Sequence, residues 1–353
     1  MTLSSHNVNG WKNSREFLYS RCETENNAIF AIQEHWLRPA FRKSQGVNQL
    51  KFLHPNYDGY GVSAMAKKCS SDIIKGRPFG GTGFLYSKTL SRSVRPCSKY
   101  VHERVSVMEL ASKRGTILLV NAYLPFYDTR NLQSQTELYK ETIAYIESIM
   151  RDNPNCSFIL LMDMNCNMFN ASHTFSKIIR NFMDTNNLIS SFDLTPSFDP
   201  TTEFTRCDVK TNSYTLIDGI LLSRSLSDTV LSSSISHYGN NVSDHCPVEM
   251  QLSIEVDLFQ PDKTLPKEYI PWSSLNTDEL THYNETMEHQ LRNISVPYHS
   301  LLHGDKRCQN ADHICQIEKY YNDLGCFQID GLYHDGIQFK SRFKSRYQYQ
   351  DII

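Results

Sequence analysis

The chain has 353 residues, and its 36 lysines and arginines against 38 aspartates and glutamates leave a net charge of −2 at neutral pH. That length holds one large domain, or a domain with an appendage, and the charge excludes a histone-like binder drawn to nucleic acid by a global basic field. A hydrophobic share of 40% and a charged share of 21% exclude a disordered or collagenous chain.

The N-terminal stretch Met1–Gly10 has neither a basic nor an apolar signal region, and no apolar run is long enough to span a bilayer, so an intracellular protein without a membrane partner is expected. Ten cysteines fall at irregular intervals with no CxxC pair, which in a reducing compartment predicts free thiols.

In chain order, Ala28–Ile32 is a strand-length apolar run that stops at Gln33-Glu34-His35. Gly80–Gly83 predicts a tight turn before the short strand Phe84–Tyr86. Thr116–Val120 runs into Asn121-Ala122-Tyr123. Ser134 and Glu137 have capping-box spacing and predict a helix to about Met150, with Leu138, Thr142, Tyr145 and Ile149 on one face. Phe158–Leu161 leads into Met162-Asp163-Met164-Asn165, a second helix carries Phe175, Ile178, Ile179, Phe182 and Met183, and Leu216-Ile217 leads into Asp218 with Ile220–Leu222 following. Continuous apolar runs of this length fit strands buried on both faces and covered by helices.

Composition changes after about residue 254. Residues 257–272 contain Pro261, Pro266 and Pro271 and read as a linker. Two amphipathic helices are expected beyond it, one on Leu280, Tyr283, Met287, Leu291 and Ile294, the other on Ile314, Ile317, Tyr321 and Leu324, closed by Gly325. The expected organisation is a domain over 1–256, a linker, and a helical extension with a basic tail over 273–353. Cys308, His313 and Cys315 have loose metal spacing without a fourth ligand, which disfavours a zinc site.

Chemistry-bearing residues sit at the ends of the buried runs. Glu34, Asp163, Asp218, Asp244, Asn7, Asn165 and His245 would converge on one edge of the sheets in a layered α/β protein. Oxygen donors without paired cysteines or histidines suit a hard cation, Mg²⁺ or Mn²⁺. Such an ion in an acidic pocket is what phosphodiester cleavage requires. Taken singly, several of these residues have plainer readings. Asp163 with Asn165 fits a strand-ending turn, Tyr123 fits a packed aromatic, and Asn9 is either a turn residue or a partner of Asn7.

Taken together, Asn7-Val8-Asn9-Gly10, Gln33-Glu34-His35-Trp36, Asn121-Ala122-Tyr123-Leu124-Pro125, Met162-Asp163-Met164-Asn165, Tyr214–Asp218 and Ser243-Asp244-His245-Cys246-Pro247-Val248 resemble the ordered motifs of the endonuclease/exonuclease/phosphatase superfamily. Within it the chain is most similar to the apurinic-type endonuclease domain of non-LTR (LINE-type) retrotransposons. Gly76–Gly83 resembles the glycine turn of such elements, and the region after Trp272 resembles the spacer toward a reverse transcriptase, here cut short.

The resemblance implies a four-layered α/β sandwich, two central mixed sheets flanked by helices, with a C-terminal helical extension. It implies Glu34 as the principal metal-binding carboxylate, with Asn7 and Asp244 near it. Asp163 would orient or deprotonate the attacking water, and Asn165, two residues along an extended segment, would bond a phosphate oxygen. His245 would contact the scissile phosphate with Asp218 as its partner, and Tyr123 would offer a phenol to phosphate. The stretch Thr205–Ser213 stands where related endonucleases place a groove-probing loop, so Arg206 and Lys210 are candidate DNA contacts, with a plain solvated hairpin the alternative.

Two positions depart from the family pattern. Met162 stands where glycine is usual, pointing either into the pocket or into the core, and Gly219 follows Asp218 where an aromatic or histidine is common. The expected function is a Mg²⁺-dependent endonuclease that nicks one strand of double-stranded DNA, in the nucleus, leaving a 3′-hydroxyl. The alternatives are a hydrolase of non-nucleic phosphoesters and an inactive DNA-binding remnant.

Overall fold

The computed structural model describes residues 1–39, 46–47, 49–65, 79–100 and 102–259, with isolated positions beyond. Expectations for residues 76–78, for the linker, for the C-terminal helices, for the Cys308–Cys315 stretch and for the basic tail lie outside the described residues.

In chain order the described elements are β1 (Thr2–Asn7), α1 (Trp11–Thr24), β2 (Ala28–Gln33), β3 (Tyr57–Val62), β4 (Thr82–Ser87), β5 (Val94–Pro96), β6 (Val105–Ser112) and β7 (Gly115–Tyr123). They continue with α2 (Leu132–Asp152), β8 (Ser157–Asp163), α3 (Thr174–Thr185), β9 (Leu188–Ser190), β10 (Arg206–Asp208), β11 (Ser213–Thr215), β12 (Asp218–Ser223), β13 (Val230–Ile235) and β14 (Val248–Leu252).

Two six-stranded sheets result, ordered β13-β14-β1-β2-β4-β3 and β5-β6-β7-β8-β12-β9, with β10-β11 a separate small hairpin. Both are mixed: β1 pairs parallel with β2 across the α1 crossover and β7 parallel with β8 across α2, while the other pairs are antiparallel. The sandwich follows from strand alternation, and β2 shows it directly. Ile29 and Ala31 join the core between the sheets, whereas Ala28, Phe30 and Ile32 face Leu18 and Cys22 of α1. On the far side Tyr139, Ile143 and Ile146 of α2 and Phe175 and Ile179 of α3 complete the core with β7 and β8. The expected α/β sandwich is therefore the observed one.

Local expectations fared unevenly. The Ser134–Glu137 capping box is not formed. Helix α2 begins earlier, after Asn131, and buries Tyr139, Thr142, Ile143, Ile146 and Ile149, leaving Leu138 and Tyr145 half-buried on the flank. The turn before β4 forms as expected, with φ of 60° at Gly80 and 89° at Gly81. Met162 is fully buried in the core. Its cross-strand neighbour Gly219 makes room in turn, since a Cβ there would lie 2.8 Å from Met164 Cε and 3.1 Å from Met168 Cε. The absence of a side chain at Gly219 is what lets these methionines pack under the site.

Candidate active site

Strand registers decide which residues meet. Asp218, first residue of β12, is directly opposite Asp163, last residue of β8, and Tyr123 at the end of β7 is level with Asp163. In the other sheet Asn7 ends β1 level with Gln33 at the end of β2, which places Glu34 just beyond the edge. A buried polar bridge joins the two sheets beneath. Gln33 Nε2 donates to Asn121 Oδ1 at 2.8 Å, and Asn121 Nδ2 donates to the carbonyls of Ile32 at 3.0 Å and Gly83 at 2.7 Å. Asn121 thus ties together the strands whose ends carry the site.

Above this edge opens a cleft of about 1110 Å³ lined by Asn7, Asn9, Glu34, Tyr123, Asp163, Asn165, Arg206, Lys210, Asp244 and His245, among others. Of the ten residues singled out from the sequence, only Asp218 does not line it; it lies behind His245. Its Oδ2 accepts the Nδ1 proton of His245 at 2.8 Å, and its Oδ1 is buried without a partner among the described residues. Asn7 Nδ2 donates to Asp163 Oδ2 at 2.8 Å and to Glu34 Oε2 at 3.2 Å, so two carboxylates share one amide group. The phenol of Tyr123 lies within the electrostatic reach of Glu34 in the same cleft. Asn9 is both a turn residue and a partner of Asn7: with φ 46° its backbone N–H donates to Asn7 Oδ1 at 3.0 Å, and its side chain donates to Asp244 Oδ1 at 2.9 Å.

One placement differs from expectation. The strand ends at Asp163, and Asn165 is not on an extended segment but in the left-handed region with φ 50°. Its backbone N–H donates to Asp163 Oδ1 at 2.9 Å and its side-chain amide to the Leu124 carbonyl at 2.8 Å, so it holds the Asp163 carboxylate. Asp244 lines the same cleft as Glu34, and Arg206 Nε donates to its Oδ2 at 3.0 Å. Lys210, in the β10–β11 turn, is exposed and reaches the cleft rim. Ser243 had no assigned role; its hydroxyl donates to the Asn7 carbonyl at 2.6 Å, linking the Asp244–His245 loop to β1.

The electrostatics are polarised. Burial, then the charge of Asp218, pushes the Asp163 pKa up to about 7, against His245 and the Asn7 and Asn165 hydrogen bonds. Burial lowers His245, but Asp218, with Asp163 and Asp244, outweighs it and holds the imidazole pKa up at about 9. At neutral pH the site therefore holds a half-titrated acid beside an imidazolium. Burial, then Glu34 and Asp163, raises the Tyr123 phenol and keeps it protonated.

The donor set fits a hard divalent cation. Glu34 and Asp163 are drawn together on one amide, and no lysine or arginine among the described residues pairs with either. Asp163, Asp218 and His245 also present ligand atoms within 4.8 Å of one another, a grouping able to hold an ion.

No protein-family profile matches the sequence, and no curated protein matches it. Solved structures do match. The AP endonuclease LMAP of Leishmania major is similar at 15% identity over 70% of this chain and 86% of its own, with a TM-score of 0.54. The catalytic domain of Xenopus laevis APE2 is similar at 17% identity over 75% of this chain and 98% of its own, also at 0.54. The chain has the AP endonuclease fold. A 3′ phosphatase from Neisseria, NExo, solved with a product DNA hairpin, shares this fold at 15% identity over 72% of this chain and 99% of its own, with a TM-score of 0.52. Among the described residues, no helix is long and apolar enough to cross a membrane.

Proposed function

We propose that the chain is a divalent-metal-dependent phosphodiesterase acting on DNA, and specifically an endonuclease that nicks one strand. The observation that carries this reading is the juxtaposition of Asp163, a carboxyl held near pKa 7, with the Asp218-paired imidazolium of His245 at the base of one cleft. A base near neutrality beside a fixed cation is what water attack on a phosphodiester needs.

Asp163 accepts the proton of the attacking water, its two oxygens aimed by Asn7 Nδ2 and by the Asn165 backbone N–H. His245, with Nδ1–H committed to Asp218, turns its Nε2–H toward a non-bridging phosphate oxygen and offsets the charge that develops there. Tyr123 donates its phenolic proton within the same cleft. Glu34, with Asp163 and with Asn7 holding them together, would bind Mg²⁺ or Mn²⁺, and Asp244, paired with Arg206, lines the same cleft. The ion, when bound, supplies positive charge to the phosphate and to the leaving oxygen.

DNA as substrate is supported by the Neisseria enzyme of the same fold solved on a DNA hairpin, and by the exposed Lys210 on the hairpin at the cleft rim. The ordered motifs of the sequence support descent from a LINE-type retrotransposon and a 3′-hydroxyl product on double-stranded DNA. Burial of Met162 in the core keeps its side chain out of the cleft, which supports an active site over an inactive remnant.

The deciding assay is relaxation of supercoiled plasmid by the purified chain with Mg²⁺ and with EDTA, alongside Asp163→Ala and His245→Ala. Nicked circle with Mg²⁺ alone, lost in both variants, is the expected result. Folded wild-type protein that gives no nicks, or variants that nick as well as wild type, would refute the reading.

A further inference from the structure

Glu34 and Trp36 both adopt left-handed backbone conformations, with φ of 53° and 56°. Residues with a Cβ enter this region only where their surroundings impose it. Two such residues in three positions mark a turn under strong constraint, and the residue between them, His35, is completely buried.

The His35 ring is held on three sides. The Leu37 backbone N–H donates to His35 Nδ1 at 2.9 Å, so Nδ1 carries no proton. Nε2 therefore carries it and donates to the Val62 carbonyl at 3.1 Å. Gly81, with φ 89°, lies flat against the ring, where an added Cβ would come within 2.3 Å of Cε1. Backbone bonds complete the clamp. Gly10 N–H donates to the Glu34 carbonyl at 2.9 Å, Trp11 N–H to the His35 carbonyl at 3.0 Å, and Trp36 N–H to the Gly80 carbonyl at 3.0 Å. The turn is thus joined to the start of α1, the end of β3 and the approach to β4.

We propose that His35 is a positioning residue. Its buried ring, bonded to Leu37 and Val62 and backed by Gly81, holds Glu34 in the left-handed conformation that sets its carboxylate beside Asn7 and Tyr123 to receive a divalent cation. This rests on the reading of Glu34 as a cation ligand. His35 touches neither ion nor substrate and acts only through the backbone of Glu34.

The two ring nitrogens can be tested separately. Asparagine places an oxygen near Nδ1 and keeps an acceptor for Leu37 N–H; glutamine places an amide nitrogen near Nε2 and keeps a donor for Val62. Mn²⁺ binding to the full chain is measured by titration calorimetry for wild type, Glu34→Ala, His35→Asn and His35→Gln, with a melting curve for each. The local bond to Leu37 spans the strained turn, so His35→Asn is expected to retain wild-type Mn²⁺ affinity. His35→Gln is expected to lose about tenfold or more, the scale typical of residues that orient a ligand. Saturating Mn²⁺ should restore plasmid nicking in His35→Gln. Equal affinity in both variants and wild type overturns the proposal. So does a loss in both that tracks their melting temperatures, which would make His35 a structural residue only. Undiminished Mn²⁺ binding by Glu34→Ala instead defeats the underlying ligand reading, whatever the His35 variants do.

Discussion

Replacing Asp218 with asparagine tests the polarisation of the site with little change of shape, because asparagine can still accept the Nδ1–H of His245. The rise of the imidazole pKa from 6.5 to about 9 corresponds to about 3 kcal/mol in favour of the imidazolium. Asp218 is the largest upward cause, and without it burial returns His245 to 6.5 or below. At pH 8 about nine-tenths of the wild-type imidazole is charged, against about 3% in Asp218→Asn, so nicking falls about thirtyfold. At pH 6 the wild-type imidazole is fully charged and that of the variant about three-quarters charged for a pKa of 6.5, so the difference largely closes. Asp218 also raises Asp163, so the acid limb of the variant moves down as well, and the whole bell-shaped profile shifts toward lower pH. Initial rates of plasmid nicking from pH 5.5 to 9.5 at fixed Mg²⁺ measure this. An alkaline limb that stays near 9 in Asp218→Asn, or a loss of equal factor at pH 6 and pH 8, would refute it.

Asp163→Asn should abolish nicking yet stabilise the fold at pH 8. The folded-state pKa of about 7 exceeds the ordinary 3.8, so the Asp163 contribution to stability is fully present below 3.8 and is lost as pH rises through 7. The ionised buried carboxylate then costs up to about 4 kcal/mol, read by urea unfolding of the pair at pH 8 and disappearing near pH 4. Asn121→Ala strips partners from Gln33 and from the buried carbonyls of Ile32 and Gly83, and should destabilise by about 3 kcal/mol in the same assay. Lys210→Ala should weaken DNA binding across sequences and reduce the salt slope of log K by about 1, measured by anisotropy over a KCl series. An unchanged slope would place Lys210 off the DNA path.

The strands most visible in the sequence are those buried on both faces. β2, β7 and β8 are continuous apolar runs because one side of each meets helices and the other meets the opposite sheet. β1 escapes the same reading although it lies inside its sheet. Its residues Thr2-Leu3-Ser4-Ser5-His6-Asn7 are mostly polar, and burial is tolerated because partners distant in sequence satisfy them. Ser5 Oγ accepts from Gln33 Nε2 at 3.1 Å, and His6 Nε2 bonds the His245 carbonyl at 3.1 Å. Helix α1 is hidden for a related reason. Its Arg21 is buried between the rings of Phe30 and Tyr238 and paired with Glu249 at 2.6 Å, which periodicity alone scores as a solvent-facing charge.

By itself the sequence determined the residue types of the site and their places at strand ends, because strand length and turn chemistry are local properties. The family resemblance paired His245 with Asp218 and set Asn7 near Glu34, as observed, but the other contacts were not legible. Asp244 pairs with Arg206 and Asn9, Asn165 turns its amide to Leu124, and Met162 points into the core. Those outcomes were decided by the tertiary structure. Side-chain direction depends on strand alternation, and the partner met at the end of a strand depends on register between segments far apart in the chain.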